Sequence, residues 1–146
     1  MKEYVLVFLI LTFISCGNKL DSKVENAVNI LIEETSINTT FPEGNEAYKN
    51  LFRIATIEDL VYLTDNENPY VRYYSFIALR EKNYPKIKEI FFSHKNDTET
   101  INTDNGACLK GFYSIKDLML WALDPEYHSS KFGFSQSEYD KISKQE

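Results

Sequence analysis

The chain has 146 residues, of which 43% are hydrophobic, 26% charged and 14% aromatic, and its formal net charge is −6. That length fits one domain able to bury a sizeable core, and the aromatic content argues against a disordered chain. The acidic balance leaves no basic footprint for nucleic acid; such a surface suits plain solvation or a basic protein partner.

The chain opens on an eleven-residue apolar run, YVLVFLILTFI (Tyr4–Ile14), preceded by Lys2 and followed by Ser15 and Cys16. A membrane-spanning helix needs about 20 residues, whereas a secretory h-region needs only about 7–15. From the residues alone, Cys16 is either a disulfide partner for Cys108 in an oxidising compartment or a processing site. Ile14-Ser15-Cys16 resembles the end of a bacterial lipoprotein signal, the lipobox, in which a small residue precedes a cysteine that is lipid-modified and begins the mature chain. The resemblance implies a cleaved signal over residues 1–15, a lipid-anchored tether over 16–22 and a folded domain over 23–146. It implies lipid attachment at Cys16, by more than one acyl chain and therefore stable. The protein would sit at the bacterial cell envelope, at the outer membrane, with Cys108 left as a buried thiol.

Helical signals then follow one another. Ser22 with Glu25 reads as a capping box, and Val24, Ala27, Val28 and Leu31 share one helix face. A polar stretch with Pro42 and Gly44 interrupts. A second helix is expected over Asn45–Ala55, with Ala47, Leu51 and Ile54 inward. Thr56 with Asp59 caps a third, whose inner face is Ile57, Leu60, Val61 and Thr64. In the fourth, Asn68 caps and Pro69 takes the first helical position, where its missing N–H costs nothing. Val71, Tyr74, Ser75 and Ala78 form its inner stripe, and Asn83-Tyr84-Pro85 closes it before a short fifth helix carrying Ile87, Ile90 and Phe91. The polar stretch Ser93–Gly106 is long for a structureless loop and has room for a short extended piece. Ser114 with Asp117 caps a sixth helix (Ile115, Leu118, Met119, Ala122), and Ser135 with Glu138 caps a last turn or two flanked by Phe134 and Tyr139. The sum is an all-α domain of about six or seven helices.

The segment Leu63–Leu79, LTDNENPYVRYYSFIAL, resembles the centre of a HEAT-type repeat: a helix, a short turn with Pro, then Val-Arg and an Ala-Leu ending. Pro69, Val71, Arg72, Ala78 and Leu79 stand at the matching positions. The resemblance implies a short, irregular HEAT-like array of antiparallel pairs sharing one core. The family's turn carries acids that pair with the arginine; Asn66 and Asn68 stand there in this chain. Asn96–Leu118 is similar to the closing half of bacterial proteins that carry such repeats, which implies no activity.

Chemistry-bearing motifs are few. The two histidines, His94 and His128, lie in no zinc or hydrolase spacing, and neither Cys-x-x-Cys nor Gly-x-Ser-x-Gly occurs. With Gly106 as the sixth position of a calcium loop, the first, third and fifth would be Ile101, Thr103 and Asn105 and the twelfth Phe112, which is no EF-hand. Glu33-Glu34 and Glu58-Asp59 read as solvated helix ends. No metal, cofactor or catalytic residue is expected. Tyr70 and Tyr73, a second stripe beside Arg72, are the candidate protein-contact residues; the alternative is that the tyrosines pack between helices and Arg72 braces the turn.

Three functions compete at this point. The leading one is a non-enzymatic, lipid-anchored interaction module of the envelope, tied to the membrane through Cys16 and to a protein partner through its helices. The second is a toxin-neutralising or inhibitor lipoprotein, which small size and acidity suit. The third is an envelope enzyme using Cys108 or a histidine.

Overall fold

The organising element of the structure is a helix with no wet face. In the computed structural model, which describes residues 20–38, 44–104 and 110–144, α4 (Pro69–Glu81) buries every residue from Val71 to Leu79. It touches the other core elements in turn: α1 (Ser22–Ile32), α2 (Glu46–Ile54), α3 (Ile57–Leu63), α5 (Ile87–Ser93) and α6 (Ile115–Ala122). A last helix, α7 (Gln136–Ser143), buries none of its own residues. One hydrophobic cluster runs from Val24 to Phe134, so the described chain forms a single, mostly helical domain.

Local hydrogen bonds set the helix starts. Thr56 and Asp59 form a reciprocal capping box, as do Ser135 and Glu138. The Asn68 side chain accepts from the N–H groups of Tyr70 and Val71, with Pro69 in the first turn. Ser114 accepts from Asp117 N–H. At the first helix the cap is Asp21, whose carboxylate accepts from Lys23 N–H at 2.9 Å, so the expected Ser22–Glu25 box lies one residue out of place. α4 ends on Asn83 in the left-handed region (φ 54°). Tyr84 N–H bonds the Leu79 carbonyl and Asn83 N–H the Arg80 carbonyl, the two bonds of a Schellman stop.

The all-α expectation needs correction. Thr100–Asp104 (β1) and Lys110–Ser114 (β2) pair antiparallel, with Ile101 opposite Tyr113 and Thr103 opposite Gly111. On the other side of β1, Ile37 adds a parallel bridge: its N–H reaches the Asn102 carbonyl (2.9 Å), and Asp104 N–H reaches its carbonyl (2.8 Å). The inward residues are Ile37, Ile101 and Thr103, all buried. TINTD therefore does alternate, but a threonine fills one of its two inward places, so the period is faint in hydropathy. The Cys16 and Cys108 expectations lie outside the described residues.

α2 is keyed in by a part-buried polar ladder at the edge of the core. The Asn45 amide donates to Glu34 (2.8 Å) and to the Tyr74 hydroxyl (3.3 Å). Tyr48 stacks on Tyr74 (centroids 5.3 Å apart) and donates its hydroxyl to Glu81 at 2.6 Å. Burial first, and then that carboxylate, push the Tyr48 phenol far above its usual range, so it stays a donor.

α7 is held from its edges. Phe134 packs edge-on to Phe91 (5.5 Å), and Lys88 pairs with Glu138 (2.9 Å). The Ser135 N–H, then Lys88, lower the Glu138 carboxyl to about 2 from its ordinary 4.5. A depressed folded-state value stabilises above pH 4.5 and loses that contribution as pH falls through about 2. An NMR titration should therefore give Glu138 a midpoint near 2, with α7 amide protection falling between pH 4.5 and 2; a midpoint near 4.5 would show the clamp is not made in solution.

Candidate functional site

The α3–α4 turn, Asp65 to Asn68, is fixed from inside by Arg72. The first turn of α4 points its guanidinium back under the loop, where Nη1 donates to the carbonyls of Asn66 (2.8 Å) and Glu67 (2.9 Å). Nε and Nη2 grip Asp97 side-on (2.9 and 3.3 Å), and Nη2 also reaches Glu99 at 2.7 Å. Arg72 is only 7% exposed, so these carboxylates compensate a charge largely removed from water. Within the loop, Asn68 N–H bonds the Asn66 side chain (2.9 Å), a tight Asx turn.

This settles the place of the three contact candidates. Tyr73 is 0% exposed and is core. Arg72 braces the turn, which was the alternative reading. Tyr70 is half-buried against the core cluster. The proposed stripe does not form an open face, because helices close over α4 on all sides. The acids that pair with Arg72 come from the segment entering β1, not from the turn.

What the clamped turn presents instead is a groove lined by none of these three residues. A hollow of about 590 Å³ is lined by Ile32, Tyr62, Asp65, Asn66, Glu67 and Asn68. A second, about 350 Å³, lies between Ile57, Glu58, Val61 and Tyr84 and shares Tyr62 and Asp65 with the first. Tyr62 is thus a ridge between two hollows, 48% exposed, and Ile32 at the end of α1 is 42% exposed. Sequence offered one signal for this: both residues are large and apolar yet fall off the inner stripes of their helices.

Neither histidine lines the groove, although His94 approaches one of its lining residues, Asp65. His94 lies between two carboxylates, Nε2 3.4 Å from Asp65 and Nδ1 3.8 Å from Asp97, and Nε2 makes no hydrogen bond. His128 stands edge-on to Trp121 (4.8 Å). Burial, reinforced by Arg80 and opposed by Asp124, lowers its pKa and favours neutral imidazole. Among the described residues no group of three or more His, Cys, Asp or Glu is arranged to hold a metal, and no helix is long and apolar enough to cross a membrane. Another pair of exposed aromatics, Phe112 (76%) and Tyr113, lies on β2.

No family model, curated protein or solved structure matches the chain. The functional reading accordingly stands on residues and geometry.

Replacing Arg72 with Ala leaves Asp97 without its cation and the turn carbonyls without a donor. Chemical denaturation should show a loss of about 3 kcal/mol, with Arg72→Lys falling between Ala and the parent because one ammonium cannot reproduce the fork. A change within about 0.5 kcal/mol for Arg72→Ala would mean that the clamp contributes nothing.

Proposed function

We propose that this chain is a non-enzymatic, lipid-anchored protein of the bacterial envelope that acts as a helical protein-interaction module. The observation that carries the reading is Tyr62, a half-exposed aromatic ridge of α3 between two hollows, beside a turn whose backbone is clamped by Arg72. Exposed apolar ridges on rigid rims are what protein interfaces use: aromatic anchors supply contact area, and a pre-ordered loop has little entropy left to lose on binding.

Two further features support the reading. The α3–α4 pair, entered through Asn68-Pro69 and braced by the arginine at the matching position, supports a HEAT-like pair inside a short irregular array. The lipobox-like Ile14-Ser15-Cys16 supports anchoring at Cys16, ahead of a domain that starts within a few residues.

Each half has its own test. Cys16→Ser should abolish incorporation of a labelled fatty acid while leaving the helical circular dichroism unchanged; continued labelling would remove the anchor. For the contact surface, a photo-crosslinking amino acid replaces Tyr62 in the full-length protein expressed in its host. Irradiation should give one discrete protein adduct, lost in an Ile32→Lys background and not formed from position 126. The absence of any adduct at 62 would overturn the interaction surface.

A further inference from the structure

We propose that the occupant of this groove is a Lys- or Arg-bearing segment of a protein partner, its cation over the Tyr62 ring and its apolar neighbours against Ile32 and Val61. The inference rests on reading the groove as a protein-contact surface and adds the chemistry of what it contacts.

Charge selects the occupant. The two hollows are lined by three carboxylate residues, Glu58, Asp65 and Glu67, and by no Lys or Arg among the described residues. Asp65 stands 3.4 Å from His94 Nε2, yet its side chain keeps 79% of its exposure, so it still faces an incoming group.

The apolar part narrows the class further. A bare cation needs only the carboxylates, whereas Tyr62, Ile32 and Val61 offer surface that a peptide's aliphatic residues would cover. An aromatic face within an acidic frame favours a guanidinium or ammonium on an aliphatic stem, which packs along the ring while its head meets the carboxylates. The Arg72 clamp keeps this frame in place before binding, since the carbonyls of Asn66 and Glu67 are already held. Complementary charge of this kind speeds encounter and excludes acidic partners, and it is weakened by salt.

Fluorescence anisotropy on the full-length protein in a neutral detergent tests the inference. The probes are short labelled peptides of equal leucine content, with arginine, glutamate or serine at the remaining positions. The arginine peptide should bind about tenfold or more tightly than the serine peptide, and the glutamate peptide should not bind. Tyr62→Ala should weaken the arginine peptide about fivefold, and Asp65→Lys with Glu67→Lys more than tenfold. Glu126→Lys, exposed but lining neither hollow, should change it by less than about twofold. Circular dichroism checks that each variant is folded. Equal losses in the Glu126 variant would reduce the effect to bulk charge and overturn the proposal. If the serine peptide binds as tightly and Tyr62→Ala weakens both, the groove is a contact surface but the preference for cations is overturned. If no peptide binds, the proposal also fails, whereas the crosslink from position 62 reads the contact surface independently.

Discussion

The structure depends on one arginine placed where two parts of the chain must meet. Arg72 stands in the first turn of the central helix and holds the α3–α4 turn through two carbonyls. Through Asp97 and Glu99 it also holds the segment entering the hairpin. The charge is nearly buried, so neither side can be released cheaply: an unpaired guanidinium or carboxylate at that depth costs several kcal/mol. The hairpin consequently folds back over the start of α4, where β1 touches it. Ile115 N–H then bonds the Glu99 carbonyl and Lys116 N–H the Asp97 carbonyl, which fixes where α6 begins. Turn, hairpin and sixth helix are in this sense one unit built around one side chain.

The second constraint is the enclosure of α4. A helix covered by five others has no solvent stripe, and its sequence shows this as a crowd of large residues on every side: Tyr73, Tyr74, Phe76, Ile77 and Leu79 are all buried. Two of its polar groups are matched from outside the helix, Tyr74 by Asn45 and Arg72 by the carboxylates. Burial on all sides leaves the exposed apolar surface to the shorter elements around α4, and the aromatic ridge belongs to α3.

What could be read from sequence divides along the range of the interactions involved. Caps at Thr56, Asn68, Ser114 and Ser135 were legible because donor and acceptor lie within three residues of each other. The inner stripe of α1 was legible because that helix shows one face to the core, whereas α6 also buries Leu120, which lies off its stripe. The hairpin was not, since pairing joins Thr100 to Ser114, residues far apart along the chain, and one of the two inward residues of β1 is threonine. The partners of Arg72 were out of reach for the same reason, being 25 and 27 positions along the chain. Tyr70 and Tyr73 form a second stripe in the sequence, open to reading as a contact face or as packing between helices, and Tyr73 is packing because α4 keeps no wet face. Tyr62 and Ile32 carried the opposite signal, large apolar residues outside any stripe, which becomes meaningful once the stripes themselves are known.

The placement of the groove also bears on how an anchored module would work. α1 begins six residues after Cys16 and runs for 11 residues to Ile32, which lines the groove. At about 1.5 Å per residue the groove lies some ~16 Å along α1 from the end nearest the proposed anchor. Were Cys16 lipidated as proposed, the lipid and the partner would be joined to opposite ends of the same helix.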